Sequence, residues 1–377
     1  MISYPDIEKL LAARSEEPPV LSLYMEVPLD PPGLRGLPVR AGDLLEMAAE
    51  GPCAPYGPDA GRVLAETRHH LWRLLDHQSA GWLGRCVALF VCGPAGLAEA
   101  VTLPAGLGDQ AIFGHRPHVR PLLLALQRSP AFRAAVVDRR HAWLFAIAPD
   151  RVEVVTEPPA DGVRSPRYGG WYGLESHRIN DRIAEMARRH FHDVAGLVAQ
   201  DLRDGQEQLV VGGHADTIPH FLAALPADVR DRFAGSFVAD TAALTPARVR
   251  ALADAVIAKQ AEKSGQRLVT RIRQQPPGGL AASGLTACLA AVRQHAVAVL
   301  AVPARGLVPG AVCRRCGALG ATGPGCAHAD SALAIPDLID EIAVRTLHDG
   351  GQVEAVPDPP GGIAARLRFP VGRYTGA

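Results

Sequence analysis

Apolar positions change period repeatedly along the chain, from every second residue to every third or fourth, and each change marks an element boundary. The first region predicts a short helix over Ile7–Ala13, a strand at VLSLYMEV (20–27) and an amphipathic helix across Ala60–His77. A strand at CVALFVC (86–92) and a helix at HVRPLLLALQR (118–128) follow. A second block opens near Ala131. AAVVD (134–138) and AWLFAI (142–147) flank the hairpin-like turn DRRH, and RVEVVTE (151–157) supplies a third strand. A long helix is predicted over Leu174–Ala199, because Ile179, Ile183, Met186, Ala187, Val194, Leu197 and Val198 keep the 3.6-residue period. Strand QLVVGG (208–213), helix TIPHFLAAL (217–225), strand GSFVAD (235–240) and a helix across Pro246–Lys263 come next. Strands alternating with helices predict an α/β sandwich.

The third block runs from about Leu280. It reads as helix GLTACLAAVRQ (284–294), strand AVAVLAV (296–302), a cysteine-rich stretch, helix PDLIDEIAVRTLHDGG (336–351) and strand QVEAV (352–356). That is an α/β/α pattern with an insertion after its first strand. Its expected core is Leu285, Leu289, Val297, Leu300, Leu338, Ile342 and Leu347, and the pair Gly350–Gly351 closes the last helix as a C-cap. Pro/Gly-rich punctuation falls at 50–61, 158–170, 274–279 and 358–362. The expected division is 1–130, 131–272 and 273–377.

Length and charge narrow the classes. At 377 residues the chain is too long for one ordinary domain, and 48% apolar with 21% charged residues excludes disorder. Lys+Arg (39) cancels Asp+Glu (39), which excludes a uniformly basic nucleic-acid binder and leaves a local basic face open. Only Lys9, Lys259 and Lys263 are lysines. The N-terminal residues lack a signal-peptide core and no run approaches 18 apolar residues, so a soluble cytoplasmic protein without a membrane segment is expected.

GxxxxGK[ST], HExxH, GxSxG and a strand-anchored GxGxxG are all absent. The scattered histidines, including His69–His70, read as structural. Cys86, Cys92 and Cys288 sit in apolar runs and read as buried thiols; Cys53 lies in a Pro/Gly loop with no evident task. Three features carry chemistry. The loop RSPRYGGWYG (164–173) has a glycine tip at Gly169–Gly170, preceded by Arg164 and Arg167. On the following helix Arg178, Arg182 and Arg189 fall within about 40° of one another. A thin tip backed by arginines suits insertion between RNA phosphates. The alternative is a solvated face on which Glu185 pairs with Arg182 or Arg189. The second feature is CRRCGALGATGPGCAH: Cys313 and Cys316 have the CxxC spacing that grips a tetrahedral zinc, with Cys326 and His328 completing a closed structural shell. The alternative is a knuckle that has lost a ligand. The third, VVGGHADTIPHF (210–221), is either an anion cradle or an ordinary strand-to-helix turn.

Taken in order, these pieces resemble the archaeal and eukaryotic class-1 release factors and Pelota, and more nearly their bacterial branch, the bacterial archaeo-eukaryotic-type release factors. The resemblance covers roughly Ala131–Val356. AAVVDRRHAWLFAIAPDRVEVVTE is similar to the hairpin opening the family's middle domain, and RYGGWYGLESHRINDRIAEMARRHFHDVA aligns with its GGQ loop and following helix. RLVTRIRQQPPGGLAASGLTACLAAVRQHAVAVLAV resembles the crossing into a third domain built like kink-turn-binding ribosomal proteins, and CRRCGALG falls at the zinc-ribbon-like insertion of many members. The implied fold is α/β with a three-domain release-factor/Pelota-like architecture. Residues 1–130 resemble the N-terminal domain of the bacterial branch, and no stop-codon reader is present.

In the family a glutamine follows the two glycines and places a water for ester hydrolysis; here that position is Trp171. The resemblance therefore implies a ribosome-associated, A-site factor of the rescue or hibernation type without stop-codon decoding. Its RNA-binding residues would be Arg164, Arg167, Tyr168, Trp171, Arg178, Arg182 and Arg189, and its partners rRNA and a translational GTPase or the ribosomal stalk. Two other readings stand beside it: a peptidyl-tRNA ester hydrolase working through the loop backbone, and a scaffold binding a translational GTPase.

Overall fold

The computed structural model describes residues 4–12, 19–51, 53–55, 57–128, 130–149, 151–156, 174–203, 205, 207–241, 244–276, 278–323 and 325–371. Among the described residues the fold is mixed α/β with four sheets. Two compact units are present: residues 1–127 together with 262–377, and residues 128–261. Among the described residues no helix is long and apolar enough to cross a membrane.

The amino-terminal segment runs α1 (Tyr4–Ala12), β1 (Val20–Glu26), α2 (Pro31–Arg35), α3 (Leu37–Ala49), α4 (Ala60–Gln78), β2 (Cys86–Cys92), β3 (Leu97–Leu103), β4 (Gln110–Gly114) and α5 (Arg120–Arg128). Its antiparallel sheet has the order β3-β2-β1-β4. Because side chains alternate across a strand, Leu21, Leu23 and Met25 join Val87, Leu89 and Val91 under α3 and α4. Tyr24, Cys86, Ala88 and Phe90 face the other side. Both faces are covered, which is why CVALFVC is apolar throughout. Two edge strands, β3 and β4, and the helices over 31–49 were not expected from the sequence. LAEAVTL has half-exposed positions and helix-favouring Ala and Glu, and the 31–49 helices open on prolines that read as loop.

The second unit contains β5 (Phe132–Val137), β6 (Ala142–Ala148), β7 (Arg151–Thr156), α6 (Leu174–Asp201), β8 (Gln208–Gly213), α7 (Thr217–Ala224), α8 (Ala227–Arg230), β9 (Phe233–Val238) and the first part of α9 (Pro246–Arg273). Sheet order is β7-β6-β5-β8-β9, with an antiparallel meander β5-β6-β7 and parallel β5, β8 and β9. Phe191, Val194, Val198 and Phe221 from α6 and α7 cover one face. Val249, Ala253 and Ile257 from α9 cover the other. This is the expected α/β sandwich, with helices on both faces of the sheet.

The carboxy-terminal segment adds β10 (Ala281–Ser283), α10 (Leu285–Arg293), β11 (Val297–Val302), β12 (Gly310–Cys313), β13 (Leu319–Gly320), β14 (Ala332–Ile335), α11 (Leu338–His348), β15 (Gln352–Ala355) and β16 (Ala364–Leu367). One sheet has the order β10-β16-β11-β15; the cysteine-rich insertion makes its own small sheet, β13-β12-β14. Of the expected core, Leu289, Val297, Leu300, Leu338 and Ile342 are buried, and Leu285 and Leu347 pack against them partly exposed. That core is continuous with Tyr24, Phe90 and Leu122 of the amino-terminal segment.

Charge as well as apolar packing joins these two segments. The stretch HRPHVR (115–120) lies against the start of α11. Arg116 Nη2 is 2.7 Å from Asp340, and its Nε donates to Glu341 at 2.8 Å. His118 Nε2 and Arg120 Nη2 each lie 3.0 Å from Asp337. The Val119 and Arg120 amides donate to Asp340 Oδ1 at 3.1 and 2.5 Å. Asp337 also caps α11 by accepting from the Ile339 amide. All six charged or titratable side chains are buried, so the pairing is what makes their desolvation tolerable.

Candidate functional site

The cysteine-rich insertion supplies the best-defined cluster of donor groups. Cys313 ends β12, the turn Arg314–Cys316 leads to β13, and Cys326 and His328 lie in the loop between β13 and β14. One ligand atom from each of Cys313, Cys316, Cys326 and His328 lies within 4.8 Å of all the others. The local sequence explains the convergence. Gly320 has no room for a side chain, since a Cβ there would lie 1.9 Å from the Gly323 carbonyl; this close approach folds Cys326 back toward the CxxC turn. Gly317 takes φ +68°, a left-handed conformation that lets the turn reverse. Arg345 donates to the Gly317 carbonyl and Arg293 to the Leu319 carbonyl, tying the knuckle to α11 and α10.

The electrostatics prepare a metal-binding thiolate. The Cys316 amide points at Cys313 Sγ from 3.5 Å, and this contact leads the effects that lower the Cys313 thiol to about 6. Cys326 Sγ lies 3.8 Å from His328 Nδ1. Its thiol is raised: the His328 backbone lowers it, but burial and the neighbouring Cys316 and Cys313 sulfurs outweigh that. One ionised sulfur beside a protonated one is what a metal-free set of three thiols should show, and a cation would displace the remaining protons. Three sulfurs and an imidazole suit a tetrahedral, borderline-soft cation, so the residues fit a structural site. Three cysteines elsewhere differ: burial lifts Cys53 to about 11 and both Cys86 and Cys288 to about 12, leaving inert thiols.

The second candidate is the glycine loop. Arg164, Arg167, Tyr168, Gly169, Gly170 and Trp171 lie outside the described residues. Arg178 and Arg182 sit on α6, with side chains outside the described residues. Arg189 is exposed and lies 3.2 Å from Glu185, which also holds Arg188 at 3.2 Å. The third candidate, the turn after β8, behaves as an ordinary strand-to-helix connection. The Thr217 and Ile218 amides donate to the His214 carbonyl, Asp216 engages Arg139, and the Phe237 ring occupies the space beside Gly212. The buried cluster around Asp340 escaped the sequence reading because its halves lie about 220 residues apart; the available signal was Asp337, Asp340 and Glu341 interleaved with the apolar residues at the start of α11.

Residues 117–262 match the sequence model of bacterial archaeo-eukaryotic release factor family 10. Over that segment the sequence is similar to this release-factor family. Its release-factor-like segment includes the glycine loop, α6, β8 and the first half of α9. Among solved structures the chain is similar to archaeal translation termination factor aRF1, at 14% identity over 97% of each chain with a TM-score of 0.25. It is similar to archaeal Pelota in a model of ribosome-bound Pelota and ABCE1, at 18% identity over 77% of this chain and 79% of that one, TM-score 0.41. A third is Dom34 of S. cerevisiae, a translation termination-like factor involved in RNA quality control and interacting with Hbs1. Its identity is 9% over 76% of this chain and 80% of that one, TM-score 0.39. No curated protein matches the chain.

Proposed function

We infer that this protein is a cytoplasmic translation factor that docks in the ribosomal A site, in a rescue or hibernation role, without decoding stop codons. The observation that carries the reading is the family match over 117–262, which contains the glycine loop with Trp171 where a hydrolytic release factor has glutamine. In this reading Gly169, Gly170 and Trp171 approach the peptidyl-transferase centre, and the indole stacks on an rRNA base. Arg164, Arg167, Tyr168, Arg178, Arg182 and Arg189 hold phosphates. Residues 273–377 meet a translational GTPase or the ribosomal stalk, and their cysteine knuckle holds structural zinc.

Two outcomes test it. Ribosome co-sedimentation of the wild-type protein should be strong, and the double substitution Arg178→Glu/Arg182→Glu should weaken it by about tenfold or more at moderate salt. Absence of wild-type binding would sink the reading. On ribosomes loaded with labelled peptidyl-tRNA, the wild-type protein should leave the ester intact, because no side-chain amide is available to place the attacking water. Release of labelled peptide by the wild type would favour a hydrolase instead.

A further inference from the structure

The half of α9 that belongs to the first unit is two-faced. Gly265, Leu268 and Ile272 turn inward; Leu268 and Ile272 pack with Val299, Ala301, Val356 and Ala364. The opposite face carries Lys263, Arg267 and Arg271 at four-residue spacing, all exposed, so the cations step about 6 Å apart along the axis. With Gln266 and Thr270 they line a shallow groove of about 390 Å³. Several other helical arginines are paired on their own helix: Arg62 with Glu66, Arg188 and Arg189 with Glu185, Arg250 with Asp254. Among the described residues none of Lys263, Arg267 and Arg271 makes an ion pair, and the adjacent Glu262 is engaged by Gln266. Cations near a helix C-terminus gain from the helix dipole, but that effect is confined to the last turn and accounts only for Arg271. Lys263 and Arg267 repel each other at i,i+4 with no structural return.

We propose that Lys263, Arg267 and Arg271 form a docking surface for the phosphodiester backbone of double-stranded RNA. The charge pattern is complementary to a regularly spaced polyanion. The groove carries no aromatic ring for base stacking and no exposed apolar anchor of the sort that centres a protein interface. Recognition is therefore of backbone and shape, without sequence preference. The choice of RNA over DNA rests on the ribosomal reading above; the phosphate chemistry does not.

The test is fluorescence anisotropy of full-length protein on a labelled RNA hairpin duplex over a salt series, beside ribosome co-sedimentation, for wild type and the Lys263→Glu/Arg267→Glu/Arg271→Glu variant. The variant should bind the hairpin about tenfold or more weakly, and the slope of log affinity against log salt should shrink by about 3, one per lost phosphate contact. Its melting curve should match wild type, since all three side chains are exposed. Equal hairpin affinity and equal salt slope in the two proteins would overturn the proposal even if both sediment with ribosomes. Conversely, hairpin binding that depends on the stripe, without ribosome sedimentation, would keep the surface and sink the A-site reading. Wild-type binding to polyglutamate as tight as to the hairpin would overturn the proposal in favour of an acidic polypeptide partner.

Discussion

Asp340→Ala is expected to lower the stability of the first unit by about 3–5 kcal/mol, the cost of taking one of two carboxylates from a buried cation and orphaning two buried amides. The carboxylate lost in that variant takes the Arg116 guanidinium at 2.7 Å and the Val119 and Arg120 amides. Arg116 would keep Glu341 and the Pro117 carbonyl, but two buried amides would be orphaned as well. Urea unfolding followed by far-UV circular dichroism should show the transition of that unit moving to lower denaturant. An unmoved midpoint would mean that the cluster contributes nothing net. The double variant Arg116→Met/Asp340→Leu should not recover the loss, because buried Glu341 then loses the guanidinium and the Val119 and Arg120 amides stay orphaned.

The same cluster predicts a pH dependence. Burial alone would raise the Asp340 carboxyl; the Arg116 guanidinium outweighs it, with help from His118 and from the Arg120 amide, and the group sits below its ordinary value. A folded-state pKa below the unfolded one gives stability that is fully present above about pH 4 and is lost as pH falls through the folded value. Acid titration of wild type should therefore show this unit losing stability as pH falls below about 4. Asp340→Asn should flatten that acid limb.

Protein produced with zinc is expected to retain the metal through purification, and Cys313→Ser to lose it. Cys313 is the sulfur already ionised near neutral pH, so it anchors the cation before the other thiols release protons. Chelation should open exposed Cys316 to alkylation, which mass spectrometry reads directly. The unit should still melt cooperatively, because Leu319 and Ile335 stay in the main core and Arg293 and Arg345 hold the turn carbonyls without any metal. Zinc-supplied protein free of metal, or thiols equally reactive before and after chelation, would remove the site from this account.

Sequence pattern and structure agree where one period governs a whole element. CVALFVC is β2 at the predicted bounds, QLVVGG is β8, and the long helix expected over Leu174–Ala199 ends within two residues of its observed end at Asp201. The donor cluster was legible for a different reason. CxxC is a local signal, and the one-residue gap between Cys326 and His328 works because Gly320 lets the loop close over β13. Short strands were not legible: AARL of β16 is four residues long and takes its place by pairing with β10 and β11. The charge cluster at Asp340 was hidden for the same reason, since it is written in residues whose partners lie in another segment. The cation stripe on α9 was visible residue by residue, but only the structure shows that, among the described residues, its three cations make no ion pair.

The shared core of the two terminal segments has a consequence for synthesis. Arg120 leaves the ribosome 220 residues before Asp340, an interval of roughly 10–45 s at ~5–20 residues per second. Over that interval Arg116, His118 and Arg120 have no carboxylates of α11 to meet, and the apolar face of Tyr24 and Phe90 has no partner from α11. The unit of residues 128–261 contains its own sheet and both covering layers, and all of it is made before the carboxylates appear. The nascent chain therefore completes its middle first and its beginning last, and the amino-terminal segment is the part that needs a holding chaperone while it waits.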